Sequence, residues 1–225
     1  MDNGKTSVVV KQFDIISKLP DLWDHNRQYH HFLLKHLSCK YNAALDIGCG
    51  TGEFTRALSP FCKQVIGIDV SESMIGEAKK RNPGKNISYI HQDIESYLEN
   101  SDKKYDIIAS IATFHHLDQK NMLRKVEGRL KPGGLLLILD LYQNQRSMDY
   151  ILSGLASVCN PFYYLFYRGT LFNTKAERAA WENHIRYDEY LSIKELKRMS
   201  KNIMNGAKLR RHLFWRYSLV YRKCK

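Results

Sequence analysis

Apolar positions along this chain fall into short runs separated by stretches of helical spacing. The segments 43–47, 64–69, 87–91, 105–111 and 135–141 are rich in Ile, Leu, Val and Ala and read as strands. The last is a continuous apolar run, the pattern of a strand covered on both faces. Between them, helices are expected over 53–58, over 71–81 with Ser71 as N-cap, around 94–98, and over 118–130 with Asp118 as cap. Asn82-Pro83-Gly84 reads as a helix stop and Pro132-Gly133-Gly134 as a turn. Upstream, Leu22, Trp23, Phe32, Leu33, Leu34 and Leu37 place an amphipathic helix within 19–37. Strand–helix alternation of this kind specifies a parallel sheet with helices on both sides.

After residue 141 the pattern changes. Segment 151–167 is apolar and aromatic but interrupted by Asn160-Pro161, so it reads as a helix, a break and a second helical piece covering a cleft. Segment 192–204 is helical, with Ser192 and Glu195 in capping-box spacing. Segments 207–212 and 216–222 follow as a strand pair. Residues 1–12 read as disordered or weakly extended. One domain over 1–225 accounts for all of this: a helical cap (1–40), a core (41–141), a helical lid (142–190) and a last helix with C-terminal strands (191–225).

The candidate chemistry begins at Leu45-Asp46-Ile47-Gly48-Cys49-Gly50-Thr51-Gly52, a buried strand entering a glycine loop and then a helix. Glycines at 48, 50 and 52 let a ligand lie against bare backbone near free helical N–H groups. A dinucleotide fingerprint would need its third glycine at 53, where Glu53 stands instead and would repel a pyrophosphate. The Gly-Lys-Ser/Thr ending of a P-loop is also missing. Seventeen residues past Gly52, Asp69 ends the second strand, where a carboxylate can accept hydrogen bonds from both hydroxyls of a ribose. His91-Gln92-Asp93-Ile94 follows the third strand, Thr113-Phe114-His115-His116 the fourth, and Lys131-Pro132-Gly133-Gly134 precedes the fifth. These stations lie at successive carboxyl ends, where open α/β sheets bind ligands.

In this order they resemble the class I S-adenosylmethionine-dependent methyltransferases, whose first motif reads apolar-Asp-apolar-G-x-G-x-G. The match covers 43–141. Trp23 to His30 and Phe214 to Tyr221 are similar to the two ends of a group of small bacterial members. The resemblance implies a Rossmann-like, doubly wound, mostly parallel seven-stranded sheet, with an antiparallel C-terminal strand, an N-terminal helix and a lid insert. It implies S-adenosylmethionine as cofactor, with Asp93 on the adenine amino group and Ile94 packing on the ring. The N-terminal helix would close over the cofactor through Asn26 or Tyr29. The expected cofactor-binding set is Asn26, Tyr29, Asp46, Gly48, Cys49, Gly50, Gly52, Asp69, Val70, Met74, Asp93, Ile94 and Ile111.

Composition narrows the setting. Five scattered cysteines without metal spacing fit reduced thiols in a cytoplasm, and no metal is expected. The N-terminus lacks the apolar segment of a signal peptide, and no run is long enough for a membrane span. The net charge of +12 is concentrated from Lys194 onward, with eleven Lys/Arg against Glu195 alone. Such a tail suits either a solvated edge strand or nucleic acid, and its alternation with Leu209, Leu213, Leu219 and Tyr221 favours strands.

Methyl transfer needs positioning at about 3–3.5 Å and a base only where the acceptor must lose a proton. His115 is the best-placed base, with His116, His184 and Asp188 in reserve. The fourteen tyrosines and nine phenylalanines also suit an aromatic pocket for a cation. The expectation is a cytoplasmic methyltransferase, monomeric or homodimeric, acting on a small-molecule acceptor. An RNA or protein methyltransferase is the alternative, although Ala112-Thr113-Phe114-His115 departs from the Asn/Asp-Pro-Pro-Tyr signature of base-amine methylation. A non-catalytic cofactor-binding protein is the third reading.

Overall fold

A computed structural model of the chain describes residues 13–17, 25–145, 147–169, 174–175, 178 and 190–224. Its centre is a seven-stranded sheet of order β3-β2-β1-β4-β5-β7-β6. The strands are β1 (Tyr41–Ile47), β2 (Cys62–Asp69), β3 (Ile87–His91), β4 (Tyr105–Ile111), β5 (Leu130–Leu141), β6 (Lys208–Arg211) and β7 (Arg216–Arg222). β1 to β5 pair in parallel, and β7 runs antiparallel to both of its neighbours. The helices are α1 (Arg27–Leu34), α2 (Glu53–Leu58), α3 (Glu72–Arg81), α4 (Ile94–Glu99), α5 (Gln119–Arg129), α6 (Ser147–Arg168) and α7 (Ile193–Ile203).

The alternation expected of a doubly covered sheet is visible residue by residue. Leu136 and Ile138 of β5 join Leu45 and Ile47 of β1 in one core, beneath α4, α5 and α7. Leu135, Leu137 and Leu139 join Ala44 and Ala109 in the other, beneath α1 and α2. Period-two side-chain direction therefore divides one continuous apolar strand between two cores. Local signals set the helix starts: Ser71, Asp93, Asp118 and Ser192 each accept a backbone N–H from the first turn. At α7 both halves of the capping box are formed.

Three expectations change. Residues 132–134 do not precede β5 as a turn. The strand starts at Leu130, the β4–β5 register shifts between Tyr105 and Ile107, and Gly133 and Gly134 pair with Lys223 beyond the end of β7. The glycines fit a bulged strand because Gly133 holds φ +76°. Segment 151–167 is not broken: α6 runs through Pro161 over 22 residues. Pro161 removes only the N–H that would bond the carbonyl of Ser157, a residue on the exposed side where water can replace it. The N-terminal helix is shorter, with α1 beginning at Arg27. Residues 1–12, Trp23 and Asp24 lie outside the described residues.

β7 contributes Tyr217, Leu219 and Tyr221 to one core and Val220 to the other. Burial at about 1.5–3 kcal/mol per large apolar side chain makes these four comparable with a domain's whole stability of about 5–15 kcal/mol. Ending the chain after Asn205 should therefore abolish the cooperative thermal transition followed by circular dichroism. A truncated protein that still melts cooperatively, and loses only its retention on heparin, would show the tail to be a detachable arm.

Candidate active site

The turn from β1 into α2 is built by three left-handed glycines: Gly48 (φ +65°), Gly50 (φ +51°) and Gly52 (φ +83°). Each is required for a different reason. A Cβ on Gly48 would overlap the Thr113 side chain, and one on Gly52 would overlap the Tyr89 ring. At Gly50 a Cβ would meet no protein atom within 4 Å, so bare backbone there faces open space. The loop is locked from below: Cys49 N–H bonds the Ile68 carbonyl at 3.0 Å, and Gly50 N–H bonds Asp69 Oδ2 at 2.9 Å. Thr113 Oγ1 bonds the Gly48 carbonyl at 3.2 Å, tying the loop to the end of β4.

Acid surrounds this cradle. Asp69 is 9 % exposed, and its second oxygen accepts the Ser71 N–H at 2.9 Å. Burial pushes its carboxyl upward against the opposing effect of those backbone donors. Asp46 is fully buried, accepts a 2.6 Å bond from Thr55, and has its other oxygen without a hydrogen-bond partner. Burial, with the Asp69 charge nearby, pushes it up to about 7. The same burial and carboxylates hold the Cys49 thiol well above its ordinary range, which makes it an inert packing group. Glu53 opens α2 and pairs with Arg27 of α1. Such surroundings suit a ligand with positive charge and bare hydroxyls and repel a pyrophosphate.

On the far side, β4 ends in a strained Ala112 (φ +51°) that turns the chain toward His115. The His115 side chain is 3 % exposed, its Nδ1 lies 2.6 Å from Asp140 Oδ1, and its backbone N–H bonds Asp140 Oδ2 at 2.7 Å. A carboxylate accepting from Nδ1 leaves the basic lone pair at Nε2. Tyr190 and His116 rings flank the imidazole at 5.1 and 3.9 Å.

The expected residues distribute unevenly. Asp46, Gly48, Cys49, Gly50, Gly52 and Asp69 form one wall, and Ile111 stands half-buried at the end of β4. Val70 accepts from the His91 ring through its carbonyl, while Met74 packs, 6 % exposed, in the first turn of α3. Asp93 caps α4 through the Ser96 N–H, keeping its other oxygen for other use. Ile94 is 6 % exposed and belongs to the core. Asn26 Oδ1 accepts from Arg216, and the Tyr29 hydroxyl donates to the Leu213 carbonyl at 3.0 Å. They fasten α1 to the turn before β7, and Arg27 is the residue of α1 that reaches the loop. His184 and Asp188 lie outside the described residues. Asp140, and the contact of Thr113 with the glycine loop, escaped sequence reading, because no motif spacing links them to the residues they contact.

Residues 45–138 match a family profile described as a methyltransferase domain. Over that segment the chain is similar to the methyltransferase-domain family. The chain is 32 % identical over 132 residues to a ubiquinone biosynthesis O-methyltransferase of Coxiella burnetii, covering 57 % of this chain and 56 % of that one. It is 34 % identical over 140 residues to a malonyl-[acyl-carrier protein] O-methyltransferase of Bacillus anthracis, covering 58 % and 51 %. The chain thus spans about half the length of these curated relatives. Among solved structures, the N-methyltransferase NodS of Bradyrhizobium japonicum, in complex with S-adenosyl-L-homocysteine, superimposes with a TM-score of 0.65 over 96 % of this chain and 99 % of its own, at 18 % identity. That likeness shows the fold.

The buried Asp46 makes a pH-dependent contribution of known sign. Its folded value lies above the unfolded one, so the folded state binds the proton more tightly and stability falls as pH rises from about 4 toward about 7. The loss is about 1.4 kcal/mol for each unit of upward displacement. Asp46→Asn should flatten the decline of the melting temperature across that window relative to wild type. Parallel pH profiles for the two proteins would contradict the assignment.

Proposed function

We propose that the methyltransferase moves the methyl group of S-adenosylmethionine to a hydroxyl oxygen of a small-molecule acceptor in the cytoplasm. The observation that carries this reading is that the acidic glycine cradle and the His115–Asp140 dyad stand at the carboxyl ends of adjoining parallel strands, tied by the bond from Thr113 to the Gly48 carbonyl. Gly50 leaves backbone open for the methionine portion, and the acidic wall suits its cationic centre. Asp69 keeps lone pairs on both oxygens for ribose hydroxyls, and Asp93 has an oxygen for the adenine amino group. Bound there, the cofactor supplies a methyl group already activated by the sulfonium.

The chain's residues would supply geometry and a proton acceptor. Asp140 holds the His115 ring, Nε2 takes the hydroxyl proton as the oxygen attacks, and Tyr190 helps to exclude water. An oxygen acceptor gives such a base a purpose, and both curated relatives described above are named O-methyltransferases. The basic stretch after Lys194 is used in α7 and the β6–β7 pair, which supports a small acceptor over RNA.

Incubation with methyl-labelled cofactor and a metabolite extract should give a labelled small molecule. His115→Asn should lower kcat by about 10²–10⁴ and remove the acid limb of the pH–rate profile, with cofactor affinity retained. Label appearing only in RNA or protein would favour the alternative acceptors. No labelled product from a protein that binds the cofactor would favour a non-catalytic role.

A further inference from the structure

Helix α6 is apolar on its outer side as well as its sheltered one. Its sheltered positions, 149, 152–153, 156, 159–161 and 163–164, mix Leu152, Ala156 and Tyr164 with Asp149, Ser153 and Asn160. Its outer positions include Ile151, Leu155, Val158, Phe162, Leu165 and Phe166, which are 50–81 % exposed. Every exposed large hydrophobic among the described residues, Ile15 apart, lies on this helix. A contiguous apolar face of this kind on a soluble domain marks a docking surface. No helix among the described residues is long and apolar enough to cross a membrane, so α6 can lie on a surface and not span one.

We infer that the outer face of α6 docks onto an anionic lipid bilayer. From 150 to 167 the sequence has no Asp, Glu, Lys or Arg, while Arg146 and Arg168 stand at the two ends. A helix pairing with a second copy would use flanking charges to set register, and α6 has none in that span. Tyr150, Phe162, Phe166 and Tyr167 give it the aromatic content of a membrane–water interface. The charge complement lies beside its start. Arg211 of β6 pairs with Asp149 at 3.2 Å, and Gln143 bridges to Ser192 at the head of α7. These contacts connect α6 to the region that exposes Lys194, Lys197, Lys201 and Lys208. In a chain of net charge +12, such a cluster attracts anionic headgroups while the apolar face enters the acyl boundary. Docking in this way places the lid next to lipid, so that an amphiphilic acceptor reaches the cleft without crossing water.

Vesicle flotation with the full chain tests this. Vesicles of phosphatidylcholine with about one third phosphatidylglycerol should carry the protein, and phosphatidylcholine alone should carry at least about tenfold less. The combined variant Ile151→Ser, Val158→Ser, Phe162→Ser and Phe166→Ser should lose about tenfold or more of the anionic-vesicle partition. Calorimetry with S-adenosylmethionine on the same variant separates lost docking from lost folding and from failure of the methyl-transfer reading. No flotation, equal flotation on neutral vesicles, or flotation that the variant retains would overturn the inference. So would a sedimenting dimer that the variant dissociates, which would make α6 an interface between copies.

Discussion

The hydrogen bond from the Gly50 N–H to Asp69 Oδ2 joins the two strand ends on which the site depends. It holds the glycine loop at the end of β1 against the acidic end of β2, and a bond of this charge-assisted kind contributes about 1.5–3 kcal/mol. It also sets the loop's conformation. With the Gly50 N–H turned toward Asp69 and the Cys49 N–H toward Ile68, the bare side of residue 50 faces open space. Thr113 and Tyr89 close over Gly48 and Gly52, so neither could carry a side chain without moving a neighbour. The parallel order of β2, β1 and β4 brings all of these groups to one edge of the sheet.

The same edge separates two electrostatic tasks. Around the loop, the buried Asp46 and Asp69 have no cationic partner of comparable burial among the described residues, at a cost to stability that grows with pH. Beside β5, Asp140 is matched to His115 through both oxygens, so its charge is used for orientation. Carboxylates on β1 and β2 and on β5 thus serve different purposes because of what donates to them.

Much of the fold was legible because its signals are local and repeated. Short apolar runs located five strands, and the capping residues Ser71, Asp118 and Ser192 located three helix starts. Glu53 separated this loop from a dinucleotide loop, and the missing Gly-Lys-Ser/Thr ending separated it from a phosphate loop. What was hidden is what depends on long-range pairing. Gly133 and Gly134 read as a turn until Lys223 supplied their strand partner. Pro161 read as a break because sequence spacing does not reveal which side of a helix faces water. The contacts of Asn26 Oδ1 with Arg216 and of the Tyr29 hydroxyl with the Leu213 carbonyl, nearly two hundred residues away, were likewise not visible in the sequence. Asp140 was invisible as His115's partner because it sits inside an apolar strand, where its spacing resembles that of any core residue.

The central claim is that the open space at Gly50 is the seat of an adenosyl sulfonium and not of a dinucleotide. Isothermal titration of the wild-type chain and of Gly50→Val, with S-adenosylmethionine and separately with NAD, tests it most directly. The account predicts that the wild type binds S-adenosylmethionine more tightly than NAD. It also predicts that Gly50→Val stays folded, with a backbone strain of about 1–2 kcal/mol, yet binds neither ligand, because its side chain fills the cradle. Tighter binding of NAD, or near-normal binding of S-adenosylmethionine by the folded Gly50→Val protein, would contradict it.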